Sequence, residues 1–171
     1  MKMTSAEAAK LVRELNETHE ALKTKEKKSC TFVCSLNEDL ESVRPAYLFE
    51  ETQKELDRLE KRIRSVKHAI NVFNMTTEVP GFDMTVDQLL VYIPQLSERK
   101  RRMAEMAERL PKERYDSSSF ASTIIDYRYT NYSPAAAEAA LLWTTRELAR
   151  AQTALDTLNN SVTFEVEAGE E

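Results

Sequence analysis

Glycine is almost absent from this chain, at two residues in 171, and those two, Gly81 and Gly169, lie far apart. That removes the phosphate-cradling glycine loop on which many nucleotide folds depend. Histidine and cysteine are equally scarce. Cys30 and Cys34 stand four apart in "CTFVCSL", with no second pair and only His19 and His68 elsewhere, so a complete zinc site would need unusual ligands. We expect two reduced, buried thiols and no metal or cofactor. A serine or cysteine nucleophile needs a positioned base, and two histidines on helix surfaces supply no such arrangement. We therefore expect no enzymatic activity. Carboxylates are plentiful, but they alternate with Lys and Arg as on a solvated helix face rather than forming a di-metal cluster.

Long apolar runs are missing too. No stretch approaches the roughly 18 apolar residues of a membrane span, and "MKMTSAEAAKLVREL" has no leader-like apolar segment, which predicts a cytoplasmic protein without membrane contact. The formal charge of −5 argues against a nucleic-acid polymer as partner, because such binding neutralises phosphates with a basic face.

What the chain does have is helical periodicity. With 42% apolar and 31% charged residues, it reads as a single mainly α domain over 1–171, built from long antiparallel helices in a bundle with coiled-coil-like seams and a few short strands. A first helix is predicted over about 4–28, where Ala8, Leu11, Leu15 and Leu22 share a face behind a Thr4 or Ser5 start. A second, over about 45–74, opens on Pro45 and carries the clearest seam: Leu56, Leu59, Ile63, Val66, Ile70 and Phe73. A third, over about 85–110, is capped by Thr85 and interrupted by Pro94. The fourth, over about 134–160, starts with Ser133 as cap and Pro134 in its first turn. Short strands are expected at about 30–36, 121–130 and 161–167, the last pairing with one of the earlier ones. Helices amphipathic along their whole length in so small a chain predict a homo-oligomer.

Three clusters carry candidate binding chemistry. In "SERKRRMAEMAER", Arg99 and Arg102 fall on one helical face at a spacing that can grip a phosphate or carboxylate; the competing reading is an exposed face paired with acids of neighbouring helices. In "STIIDYRYTNYSP", an extended segment sends Tyr127 and Tyr129 one way and Asp126 and Arg128 the other, and Tyr132 follows beside a helix start. Aromatic faces, a guanidinium and helix N–H donors are what a nucleotide-like ligand uses. The alternative is that these tyrosines plug a bundle end, their hydroxyls tied to backbone. Asn71, Asn74 and Thr77 recur every three residues at a helix end, where they either cap the turn or orient a ligand by its polar edges.

The last cluster belongs to "AINVFNMTTEVPGFDMT". It resembles the recurring signature of the septicolysin-like, or DIP1984-like, family of small helical bacterial and phage proteins: an I-N-x-T-N-x-x-T helix end, a glycine turn and a T-L-T restart. Ile70, Asn71, Asn74, Thr77, Gly81 and Thr85 match it. Phe73 stands where that family has threonine, and Asp83 and Met84 replace the threonine and leucine before Thr85. The resemblance implies an α-helical oligomer of poorly defined activity.

Together these residues predict a non-enzymatic homo-oligomer that captures a small anionic, nucleotide-derived ligand where subunits meet. Arg99, Arg102 and Arg128 would hold charge, Tyr127, Tyr129 and Tyr132 would stack, and Asn71, Asn74 and Thr77 would read polar edges. The sponges with which phages sequester nucleotide immune signals offer an analogy of build for such an anti-defence role. The rival expectation is a structural or adaptor protein whose helical seams bind a protein partner.

Overall fold

The computed structural model describes residues 1–115 and 125–167, and it is mainly helical with short antiparallel strands. In order, these are β1 (Lys2–Thr4), α1 (Ser5–Ser29), α2 (Leu40–Val43), α3 (Phe49–Thr76), α4 (Val86–Ala107), β2 (Lys112–Tyr115), β3 (Asp126–Tyr129), α5 (Pro134–Ser161) and β4 (Thr163–Glu165). Where length predicts one domain, the chain divides into two compact units, Met1–Thr77 with Thr157–Glu171, and Glu78–Asp156. No helix among the described residues is long and apolar enough to cross a membrane.

The first unit is organised by α1 and α3. Thr4 caps α1 as predicted: its hydroxyl accepts from Glu7 N–H while the Glu7 carboxylate accepts from Thr4 N–H at 2.8 Å, satisfying two otherwise orphaned donors. The helices run antiparallel, with His19 meeting Glu60 and Glu26 meeting Gln53. Ala8 and Leu15 of α1 and Leu59, Ile63 and Val66 of α3 fill the core between them, joined by Met3 and Val166. The tail alternates into β4 as expected, but it pairs with β1, which is none of the expected strands, setting Met3 opposite Phe164. Phe164 in turn stacks on Phe73 at 4.7 Å between centroids.

Several expectations need correction. The 30–36 stretch forms no strand, because no neighbouring strand offers it a ladder; the Cys30 N–H instead closes α1 on Glu26 O. Its thiols are not buried: Cys30 is exposed and Cys34 half-buried. The second long helix starts at Phe49 rather than Pro45. Pro45 excludes helical geometry at Arg44, which is extended at ψ 121°, so the brief α2 stops there and the chain runs on to a fresh start. The third predicted helix likewise stops short: α4 ends at Ala107 rather than 110, with Pro111 just beyond its end. Of the expected 121–130 strand, Asp126–Tyr129 is a strand and 121–124 lies outside the described residues.

In the second unit, α4 opens on a Thr85–Gln88 capping box, and its buried Val86, Leu89 and Leu96 recur on one face. Two contacts set α4 and α5 antiparallel: the Tyr132 hydroxyl donates to Met106 O at 2.8 Å, and Arg99 lies 5.2 Å from the Trp143 ring centre. Ala137, Thr144, Leu148 and Ala151 are the buried face of this part of α5. Pro94 sits inside α4, which continues through it.

Candidate functional site

Between α4 and α5 the chain makes a two-stranded antiparallel ribbon. Its register sets Lys112 opposite Tyr129, Glu113 opposite Arg128, Arg114 opposite Tyr127 and Tyr115 opposite Asp126. Directly opposed residues share a side of a pleated ladder, and sides alternate along each strand. One side therefore carries Lys112, Arg114, Tyr127 and Tyr129; the other carries Glu113, Tyr115, Asp126 and Arg128.

Side-chain contacts agree with that partition. The Lys112 ammonium lies 4.0 Å from the Tyr127 ring centre and 5.4 Å from that of Tyr129. On the reverse side the Arg128 guanidinium bonds Glu113 at 3.2 Å and covers the Tyr115 ring at 4.6 Å. The chemical consequence is a two-faced ribbon. Its described ladder puts two cations, two tyrosines and no carboxylate on one side, and on the other mixed charge in which Arg128 is paired with Glu113. Tyr127 and Tyr129 remain 48% and 62% exposed, so their rings offer flat area to a ligand. Exposed cation–π contacts of this kind are worth about 0.5–1 kcal/mol each, enough to hold the rings and the ammonium together without removing them from solvent.

The nine candidate residues are distributed unevenly. Asn71, Asn74 and Thr77 belong to the first unit and the rest to the second. Asn71 is exposed, Asn74 half-buried, and the Thr77 N–H ends α3 by donating to Phe73 O at 3.0 Å. Thr77 also borders an opening of about 420 Å³ between α3 and β4, lined by His68, Val72, Phe73 and Phe164 among others. Arg99 is stacked on Trp143, and Arg102 is exposed near Glu98, whose carboxyl it helps to hold below the ordinary range. Arg128, Tyr129 and Tyr132 do converge, together with Met106, Leu110 and Glu113, on a cleft of about 320 Å³. There Arg128 is already satisfied by Glu113 and the Tyr132 hydroxyl by Met106 O, while the Glu113 carboxylate opposes an incoming anion. The basic side of the ribbon thus carries the charge better suited to an anion.

Lys112 and Arg114 escaped sequence reading because "KERY" looks like a polar connection. Its alternation of charge, set against the alternation in "DYRY", was the available signal.

No family model matches the chain, and no curated protein matches it. Among solved structures, a functionally unknown conserved protein from Corynebacterium diphtheriae has a similar fold, with a TM-score of 0.58 at 18% identity, covering 96% of this chain and 100% of that one. At that identity the likeness speaks for the fold.

Proposed function

We propose that this protein is a non-enzymatic, homo-oligomeric binding protein that captures a small anionic, nucleotide-like ligand on the basic, aromatic side of its β2–β3 ribbon. The observation that carries the reading is the grouping of Lys112 with exposed Tyr127 and Tyr129, Arg114 on the same side and no acid among them. Charge recruits the ligand's phosphate or carboxylate, and the tyrosine rings accept its base by stacking. Capture without turnover fits a cytoplasmic sponge, for example one that a phage uses to sequester host immune-signalling nucleotides. We also propose membership of the septicolysin-like family. The likeness in fold to a conserved bacterial protein over nearly the whole chain supports this, beside the 70–85 signature.

Thermal-shift titration of the purified chain against cyclic and linear nucleotides tests the reading. A melting temperature that climbs with ligand concentration is expected, and Lys112→Ala or Tyr127→Ala should shift the titration midpoint at least tenfold. A wild-type melting temperature indifferent to every nucleotide sinks it.

A second reading has its own observation. Leu142 and Trp143 of α5 and Leu90 and Val91 of α4 are large, apolar and exposed, and Trp143 carries Arg99 beside it. Tryptophan and arginine dominate protein interfaces, so a structural or adaptor role through the helices follows if nucleotides fail.

A further inference from the structure

We infer that β3 pairs edge to edge and antiparallel with β3 of a second copy of this chain, in the register that sets Tyr127 against the partner's Tyr127. The ligand face proposed above is then completed by that copy. Only this last consequence rests on the capture reading; the pairing stands on the ladder itself.

The argument begins with backbone direction. Thr130 N–H donates to Pro111 O at 3.2 Å, which marks the 111/130 pair as a hydrogen-bonding one. Such pairs alternate along an antiparallel ladder. Glu113/Arg128 and Tyr115/Asp126 are therefore hydrogen-bonded pairs, and Lys112/Tyr129 and Arg114/Tyr127 are not. The N–H and C=O groups of Tyr127 and Tyr129 must then point outward, away from β2. Among the described residues nothing receives them: the sheet ends at β3, and no backbone bond from 126–129 leaves the ladder. Every residue of β3 is exposed, and a lone two-stranded ribbon is marginally stable in water, so a further strand adds what the ribbon lacks.

Charge then selects the register. Outward groups must meet outward groups, so odd-numbered residues face odd-numbered ones. A two-fold axis at Arg128 brings two guanidinium groups together, and one at Asp126 brings two carboxylates together. An axis at Tyr127 instead sets Asp126 opposite the partner's Arg128, twice over. In that arrangement Arg128 lies between Glu113 on its own chain, 3.2 Å away, and the partner's Asp126. Asp126 has no ion pair within its own chain among the described residues. Alternating charge on a short edge ordinarily discourages promiscuous pairing, and among the odd-to-odd registers only the axis at Tyr127 sets the opposite charges of β3 against each other. On the other side of the widened sheet, Tyr127 meets the partner's Tyr127 with an Arg114 beyond each. One chain thus presents half of a site that two chains close.

Native mass spectrometry and sedimentation of the full chain, with amide exchange followed by NMR, test this. The wild type should assemble in even numbers. Asp126→Arg, which sets cation against cation, should weaken assembly at least tenfold while far-UV circular dichroism stays unchanged. The Tyr127 amide should be protected at least tenfold in the assembled protein and exchange freely after dilution. A monomer at all concentrations overturns the inference, and so does an assembly in which the Tyr127 amide exchanges unprotected, since that copy joins through other faces. A protected Tyr127 in a protein indifferent to nucleotides leaves the pairing standing and ends the capture reading; a nucleotide-responsive monomer does the reverse.

Discussion

Arg128 and Glu113 face each other across the β2–β3 ladder, the guanidinium Nη1 lying 3.2 Å from Glu113 Oε1. Both side chains stay substantially in solvent, at 51% and 39% exposure, so water screens the attraction. A double-mutant cycle of Arg128→Ala and Glu113→Ala in urea unfolding should give a coupling below about 1 kcal/mol. A coupling well above that means the pair is desolvated in solution.

Leu89 is fully buried in the second unit, whereas its neighbour Leu90 is 43% exposed. Leu89→Ala removes core contacts and leaves a cavity, costing about 2–5 kcal/mol in chemical denaturation; Leu90→Ala should cost under about 1 kcal/mol. Equal costs would mean that Leu90 is covered in the protein as it exists in solution.

Much of this fold was legible because helices announce themselves locally. The Leu59, Ile63 and Val66 spacing of α3 and the capping residues Thr4 and Thr85 work through contacts a few residues away, and each falls where the sequence places it. Strands depend on a distant partner. "CTFVCSL" has strand-like residues and no ladder to join, while "KERY" is polar and forms β2 because "DYRY" lies opposite. The candidate site was half legible for the same reason. Tyr127 and Tyr129 stand out by composition, and strand alternation already sends Arg128 to the other side, but only the register reveals that Lys112 and Arg114 share the tyrosines' side. Tyr132 shows the converse: its aromatic ring suggested stacking, yet its hydroxyl holds the last turn of α4.

Acid should remove a defined contribution on α4. Glu98 accepts hydrogen bonds from Arg101 Nε at 3.1 Å and Nη2 at 2.6 Å, which hold its carboxyl below the ordinary value of 4.5. A depressed carboxylate stabilises the fold above its unfolded pKa and loses that contribution as pH falls through the folded one. The gap in melting temperature between wild type and Arg101→Gln should therefore be constant above pH 4.5 and narrow below it. A gap that widens on acidification would assign the stabilising role of Arg101 to another group.

The turn that restarts the chain after α3 makes the sharpest backbone prediction. Phe82 N–H donates to Val79 O at 3.0 Å, which closes a four-residue turn with Pro80 and Gly81 at its centre, and Gly81 has φ +80°. Proline followed by a positive-φ residue is the geometry of a type II turn. Gly81→Ala should cost about 1–2 kcal/mol and Gly81→Asn less, because asparagine tolerates the left-handed region. The cost is conformational, not steric: a methyl group at Gly81 finds Arg150 Nη1 no nearer than 4.0 Å. Arg150 bonds the Gly81 carbonyl at 3.1 Å and lies over the Phe82 ring at 4.2 Å, so a clash would be relieved by shortening that side chain. Strain would not be. The penalty for Gly81→Ala in urea unfolding should therefore persist in an Arg150→Ala background, and its disappearance there would show that the guanidinium, rather than the positive φ, requires glycine at this turn.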